Sequence, residues 1–308
     1  MQYIGELISL GVSVMWTATA LLGEYGCKRM GNLTLNIWRM IFALLFSAIL
    51  FWATTGSLLP AHASAQTYMW LTLSGIMGYV IGDFCNYQCY IIIGSKIGTL
   101  FMTLAPIAAA VTAWFALDQE LNPGAIIAMA VTLTGIAITV LGRGEKHKVS
   151  LKLPLRGVLY AIAAALCQGI GLVLSKIGMD HYQASVTIPV DSTLLPFHAN
   201  ALRCVAGIIG FTILMAFREG YGSMRRSARD GKGLLSAVAS TVFGPFVGVG
   251  CSLMAVQYAD AGIASTLMAL TPIFIILPAW WCFKQPITTK SVLGAFISVI
   301  GVSLFFLL

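Results

Sequence analysis

Along most of this chain apolar positions do not alternate with polar ones. They run on for about twenty residues, stop at a cluster of charged, polar, Pro or Gly residues, and resume. Such runs fall at about 4–23, 33–53, 68–86, 97–117, 124–142, 157–176, 199–217, 234–256, 261–283 and 289–308. Each is near the ~20 residues that a helix needs to cross a bilayer core of ~30 Å. Stretches such as 126–141 and 292–308 are apolar throughout, which excludes the ~10-residue alternating segments of a membrane β-barrel. The pattern predicts an all-α polytopic membrane protein with ten transmembrane helices. Connections are short except for Arg143 to Arg156, Ile177 to His198 and Arg218 to Gly233, and none has room for a soluble domain. The opening residues lack the basic region and small-residue cleavage site of a signal peptide and read as the first span.

Composition agrees. Of 308 residues 58% are hydrophobic and 9% charged, against roughly 25% charged in soluble domains, and mean hydropathy is +0.89. The net charge of +7 does not point to nucleic acid, because no water-facing module gathers the basic residues. Seven cysteines lie mostly within apolar runs and give no disulfide framework. The charges do orient the chain. Lys28, Arg29, Lys96, the 143–156 and 218–232 connections, Lys284 and Lys290 lie on one face; Asp118, Glu120, Asp180, Asp191 and Asp260 lie on the other, with Lys176 near its edge. The excess of Lys and Arg on cytoplasmic loops then places both termini outside a cytoplasmic (plasma) membrane.

The chain also repeats itself. LAPI around Pro106 and LTPI around Pro272 are 166 residues apart, and the same offset pairs Gly78 with Gly244, Gly82 with Gly248, Cys85 with Cys251, Met102 with Met268 and Gly135 with Gly301. Upstream, Arg39 in NIWR matches Arg203 in NALR at offset 164, and Trp16 matches Gln168 at 152. The chain therefore divides into a five-span unit at 1–142, a basic linker at 143–156 and a second five-span unit at 157–308. An odd number of spans inverts the second copy, the symmetry of secondary transporters that bind substrate where the repeats meet.

The phrases IGDFCNYQCYIIIGSKIGTLFMTLAPI (81–107) and AVQYADAGIASTLMALTPIFIILPAWWCFKQPIT (255–288), the early MWTATA (15–20) and the Arg opening the second span resemble the EamA-type repeats of the drug/metabolite transporter superfamily. The resemblance covers almost the whole chain. It implies a ten-helix basket whose central cavity, lined chiefly by helices one, three, four, six, eight and nine, runs alternating access for small metabolites. Two departures stand out. Where the family often ends the ninth helix with an acid, this chain has Lys284, Gln285 and Pro286, and many relatives keep both termini in the cytoplasm.

Ionisable groups inside spans cost about 2.5–3.5 kcal/mol at a helix centre and are functional candidates by default. Asp83 follows the Gly78–Gly82 pair and has Val249 as its repeat partner; it reads as a substrate- or proton-binding acid, or as an acid paired with Lys96 or Arg39. Glu24, on a face near that of Trp16 two turns away, is a second carboxylate for coupling, or a headgroup-level residue. Arg39 and Arg203 form a matched pair that the inversion sends toward opposite faces, able to clamp an anion or to serve structure. Trp16, Asn86, Tyr87, Gln168, Gln257 and Tyr258 are uncharged groups able to hydrogen-bond or stack on a metabolite, and Pro106 and Pro272 can kink the helices around it.

No HExxH, CxxC or phosphate-binding glycine loop occurs, so neither cofactor nor metal is expected. The partners expected are a small-molecule substrate, the lipid bilayer and a proton or cation as coupling ion, in a monomer or homodimer. The leading expectation is a secondary carrier of an amino acid, other metabolite or drug-like solute, directed outward. An enzyme of lipid-linked substrates would rest on Asp180, His181, Asp191 and His198; an uncoupled channel is the third reading.

Overall fold

A backbone crossing a bilayer finds no water for its amides and must satisfy them internally. The computed structural model of this protein, which describes residues 3–58, 63–141, 154–185, 191–218, 220–274 and 289–307, does so with helices and, among those residues, without strands. Helix α1 is Ile4–Met30 and α2 is Asn32–Thr55. Helix α3 runs without a break through Ala65–Gly75, the π-helical Ile76–Asp83 and Phe84–Ile93. Helix α4 comprises Ser95–Phe101, a 3-10 turn at Met102–Leu104 and Ala105–Leu117. Then come α5 (Pro123–Leu141), α6 (Leu155–Ser185) and α7 (Leu195–Arg218), with a short helix at Gly222–Ser227. Helix α8 passes from Gly231–Thr241 through a second π-helical piece, Val242–Phe246, into Val247–Tyr258. Helix α9 is described over Ala261–Met268 and Thr271–Phe274, and α10 over Thr289–Leu307.

Six stretches are long and apolar enough to cross a membrane unaided: Ile4–Met30, Asn32–Thr55, Ile97–Leu117, Leu155–Ser185, Leu195–Arg218 and Gly231–Tyr258; Pro123–Thr139, Ala261–Phe274 and Val292–Leu304 are shorter apolar helices. The protein is a multi-pass membrane protein. Its large apolar side chains point outward, Phe217 being 85% and Phe115 75% exposed, while Ser9, Ser13, Asn36 and Thr132 are fully buried. That arrangement suits lipid outside and polar, small-residue contacts between helices.

Several helices outrun the hydropathy pattern. Helix α1 continues past residue 23 to Met30, because Lys28 pairs with Glu24 at 2.5 Å one turn back and Gly31, at φ 86°, supplies the left-handed turn into α2. Gly94, at φ 81°, does the same between α3 and α4. Helix α6 runs to Ser185, so Asp180 and His181 lie on helix and not in a loop; Lys176 and Asp180 pair at 2.6 Å, and Tyr182 is fully buried.

Small residues set the closest approaches. A Cβ on Gly135 of α5 would overlap Ser298 N of α10, and one on Gly301 would overlap Thr132 N. Positions 132 and 298, like 135 and 301, are 166 apart. The same offset separates Ile76 from Val242, the first residues of the two π-helical pieces.

Candidate functional site

Helices α1, α2, α3, α4, α6, α7, α8 and α9 enclose a cavity of about 120 Å3, with Trp16, Arg39, Asp83, Gln168, Arg203 and Pro272 in its wall. At roughly 10–15 Å3 per water-sized group, it has room for on the order of ten such groups. The two π-helical pieces face it through Tyr79, Asp83 and Gly244. Non-ideal helix is tolerated at membrane depth where it lines such a cavity.

On one side Arg39 of α2 reaches Asp83 of α3, Nη1 donating to Oδ2 at 3.0 Å, and also donates to Asn36 Oδ1 at 2.8 Å one turn back. Asn36 donates to Asn32 Oδ1 at 2.7 Å, and Asn32 to the Phe84 carbonyl at 2.8 Å. The guanidinium lies over the Tyr87 ring, 4.8 Å from its centroid. The other Asp83 oxygen accepts from Gln168 Nε2 of α6 at 2.8 Å, and the same nitrogen reaches the Gly78 carbonyl at 3.1 Å. A charged pair this deep is tolerable only where it is matched: both Asp83 oxygens accept hydrogen bonds and Arg39 Nη1 donates two, while Arg39 Nε is buried without a partner.

The other side has a different partner set. Arg203 of α7 lies over the Tyr79 ring, again 4.8 Å from the centroid. Tyr79 donates to Asn200 Oδ1 at 2.5 Å, and Asn200 Nδ2 donates to the Pro245 carbonyl. The contacts of the two sides reciprocate. Arg203 Nη2 lies against Gly78, where a Cβ would come within 2.8 Å, and Arg39 Nη2 lies against Gly244, where it would come within 3.0 Å. Gln168 lies against Gly82 and Trp16 against Gly248 in the same manner. Each pair of residues so related is a pair that the sequence offsets had matched.

Of the residues singled out from the sequence, Trp16, Arg39, Asp83, Asn86, Tyr87, Gln168, Arg203 and Pro272 line this one cavity. Arg39 and Arg203, expected toward opposite faces, both line this cavity, one guanidinium against Gly244 and the other against Gly78. Glu24 does not line the cavity; it is held by Lys28 and by the Ser95 N–H at 3.2 Å. Gln257 and Tyr258, in the last turn of α8, lie outside the cavity wall, with Tyr258 44% exposed. Pro106 is buried at the start of Ala105–Leu117, after the 3-10 turn, and Ala105 rather than Pro106 meets the cavity. Lys284, Gln285 and Pro286 lie outside the described residues.

Tyr79, Asn36 and Asn200 were not singled out. The two asparagines stood in the repeated NIWR and NALR phrases, three residues before each arginine, and that repetition was the signal. Of the loop residues named for an enzyme, His198 lies on α7, T-shaped to the Phe51 ring and 3.3 Å from the Tyr182 hydroxyl of α6, and Asp191 accepts from the Thr193 N–H and hydroxyl. Those two bonds hold Asp191 below the usual carboxylate range. Among the described residues no group of three or more His, Cys, Asp or Glu could hold a metal.

The model of the EamA-like transporter family matches residues 3–141 and matches again over 155–307. The chain belongs to the EamA-like transporter family. This EamA-family protein is also similar to Protein LicB of Haemophilus influenzae (strain ATCC 51907 / DSM 11121 / KW20 / Rd), with 26% identity over 152 residues, 49% of this chain and 47% of that protein. The match thus spans about half the length of that relative. One solved crystal structure superposes with a TM-score of 0.72 at 15% identity, over 100% of this chain and 97% of the other; it shares the fold.

Proposed function

We propose that the protein is a secondary active carrier that moves a small organic solute outward across the cytoplasmic membrane by alternating access. The observation that carries this reading is the cavity, largely apolar with Arg39, Asp83, Gln168 and Arg203 set in its wall, which both family-matched stretches build. In this reading 1–142 and 157–308 are two five-span units, ten spans in all, related by a two-fold axis in the membrane plane. The reciprocal contacts at 78 and 244, at 82 and 248, and across α5 and α10 support that axis. Such a site opens to one side or the other as the units rock. The cavity of about 120 Å3 suits a solute the size of an amino acid or similar metabolite. Asp83, the carboxylate in the cavity wall, couples a proton or cation: neutralising it releases Arg39 of α2 and Gln168 of α6 from α3.

The test is counterflow in proteoliposomes across a panel of small metabolites. A carrier gives saturable uptake that accelerates when the inside is preloaded with the same solute. Flux that rises linearly without acceleration contradicts the reading and favours a channel. Asp83→Asn is expected to abolish the pH or cation dependence of uptake.

A further inference from the structure

The two arginines of the cavity wall are matched by sequence and by placement, yet only Arg39 is hydrogen-bonded to an acid. Arg39 has Asp83, Asn36 and the Tyr87 face. Arg203, 4% exposed, has the Tyr79 face, and among the described residues nothing accepts a hydrogen bond from it; the Nε atoms of both arginines are buried without a partner, so the difference lies in the outer nitrogens. By the 166-residue offset the counterpart of Asp83 is Val249, which lines the same cavity. Arg203 therefore has its glycine notch, at Gly78 of the first unit, as Arg39 has Gly244, but lacks the acid. Among the described residues, two guanidiniums and one carboxylate leave the wall one positive charge in excess, in a place where an unpaired charge is costly.

We infer that Arg203 is the anchor for a single carboxylate of the transported solute, which occupies the role that Asp83 fills toward Arg39. A guanidinium presents parallel N–H donors that fit a carboxylate bidentately. One surplus charge matches a monoanionic carboxylate better than a phosphate dianion. Trp16, Met102 and Leu172 supply apolar surface for the rest of the molecule, and the volume admits about ten non-hydrogen groups. The assignment rests on the carrier reading and narrows its substrate to small carboxylates, amino acids included.

The test uses the full chain in proteoliposomes and a counterflow panel of monocarboxylates and amino acids of up to about ten non-hydrogen atoms, each beside its carboxamide. At least one acid is expected to exchange while its amide does not. Arg203→Gln should lower exchange of that acid by about tenfold or more, the worth of a charge-assisted bidentate contact. Val249→Asp should do the same with the arginine left in place, because it supplies an internal carboxylate, and should not lower the thermal midpoint. If Val249→Asp fails to accumulate, Arg203→Gln alone decides. Amides exchanging as well as acids, or acid exchange unchanged in Arg203→Gln or in folded Val249→Asp, overturns the carboxylate assignment and leaves the carrier reading standing. No exchange by any panel member overturns the assignment; if the broader metabolite panel is also silent, the carrier reading falls with it.

Discussion

Replacing Asp83 by Asn changes one atom and removes one charge, and the structure fixes what that leaves behind. Arg39 is 3% exposed and loses its anionic partner at 3.0 Å. Breaking one side of a buried ion pair costs about 3–5 kcal/mol. Here Arg39 keeps the Asn36 oxygen at 2.8 Å and the Tyr87 ring, and the new amide oxygen can still accept one bond. The lower end applies, about 3 kcal/mol, and at about 2 °C per kcal/mol for a large domain the thermal midpoint should fall by roughly 6 °C. Thermal unfolding of the detergent-purified protein, followed by size-exclusion fluorescence, reads this directly. Arg39→Met should destabilise for the complementary reason, because it strands the carboxylate. The double variant Asp83→Asn, Arg39→Met should recover much of the loss, since exchanging a whole buried pair for neutral groups is often near neutral. A midpoint for Asp83→Asn within about 1 °C of the parent, or strictly additive losses in the double variant, would refute the claim that this pair holds α2 to α3.

Cysteine introduced at the exposed Ala184 should react with an impermeant maleimide in intact cells, and one at the exposed Ala228 should react only after permeabilisation; the reverse pattern would invert the topology. Gly135→Leu and Gly301→Leu should each reduce accumulation severely, because α5 and α10 meet through backbone at both sites; normal yield of either contradicts that packing. Asp230 is held below the usual carboxylate range first by its hydrogen bond from Arg29, at 2.5 Å to Oδ2. Its stabilising share is present above about pH 4 and lost as pH falls through the folded value. Asp230→Asn should therefore flatten the acid limb of the stability profile, and an unchanged limb would count against the pair.

The helices were legible because membrane spans announce themselves by continuous apolarity. Their ends were less so: Glu24 with Lys28 and Lys176 with Asp180 satisfy one another on the helix surface, so polar residues extended α1 and α6 where hydropathy had ended them. The offset of 166 located the pairs that meet, Gly78 and Gly244 above all, since a glycine facing a crossing side chain must recur wherever the crossing recurs. It did not tell which residues share a cavity. Spans that are apolar on every side carry no periodic signal of their inner face, which is why Glu24, Gln257 and Tyr258 were grouped with residues they do not meet. Tyr79 went unnoticed because a tyrosine beside a glycine in an apolar run has no mark of its own until the arginine that covers it is placed.

The central claim is that one cavity serves both sides of the membrane in turn. It is tested most directly by a single cysteine at Ser265, a cavity-wall residue of α9, in a chain whose seven native cysteines have been replaced, treated with an impermeant maleimide from either face of sealed vesicles of known orientation. The account predicts labelling from both faces, slowed from both by a solute that the protein exchanges. Labelling confined to one face whatever the solute gradient would contradict it.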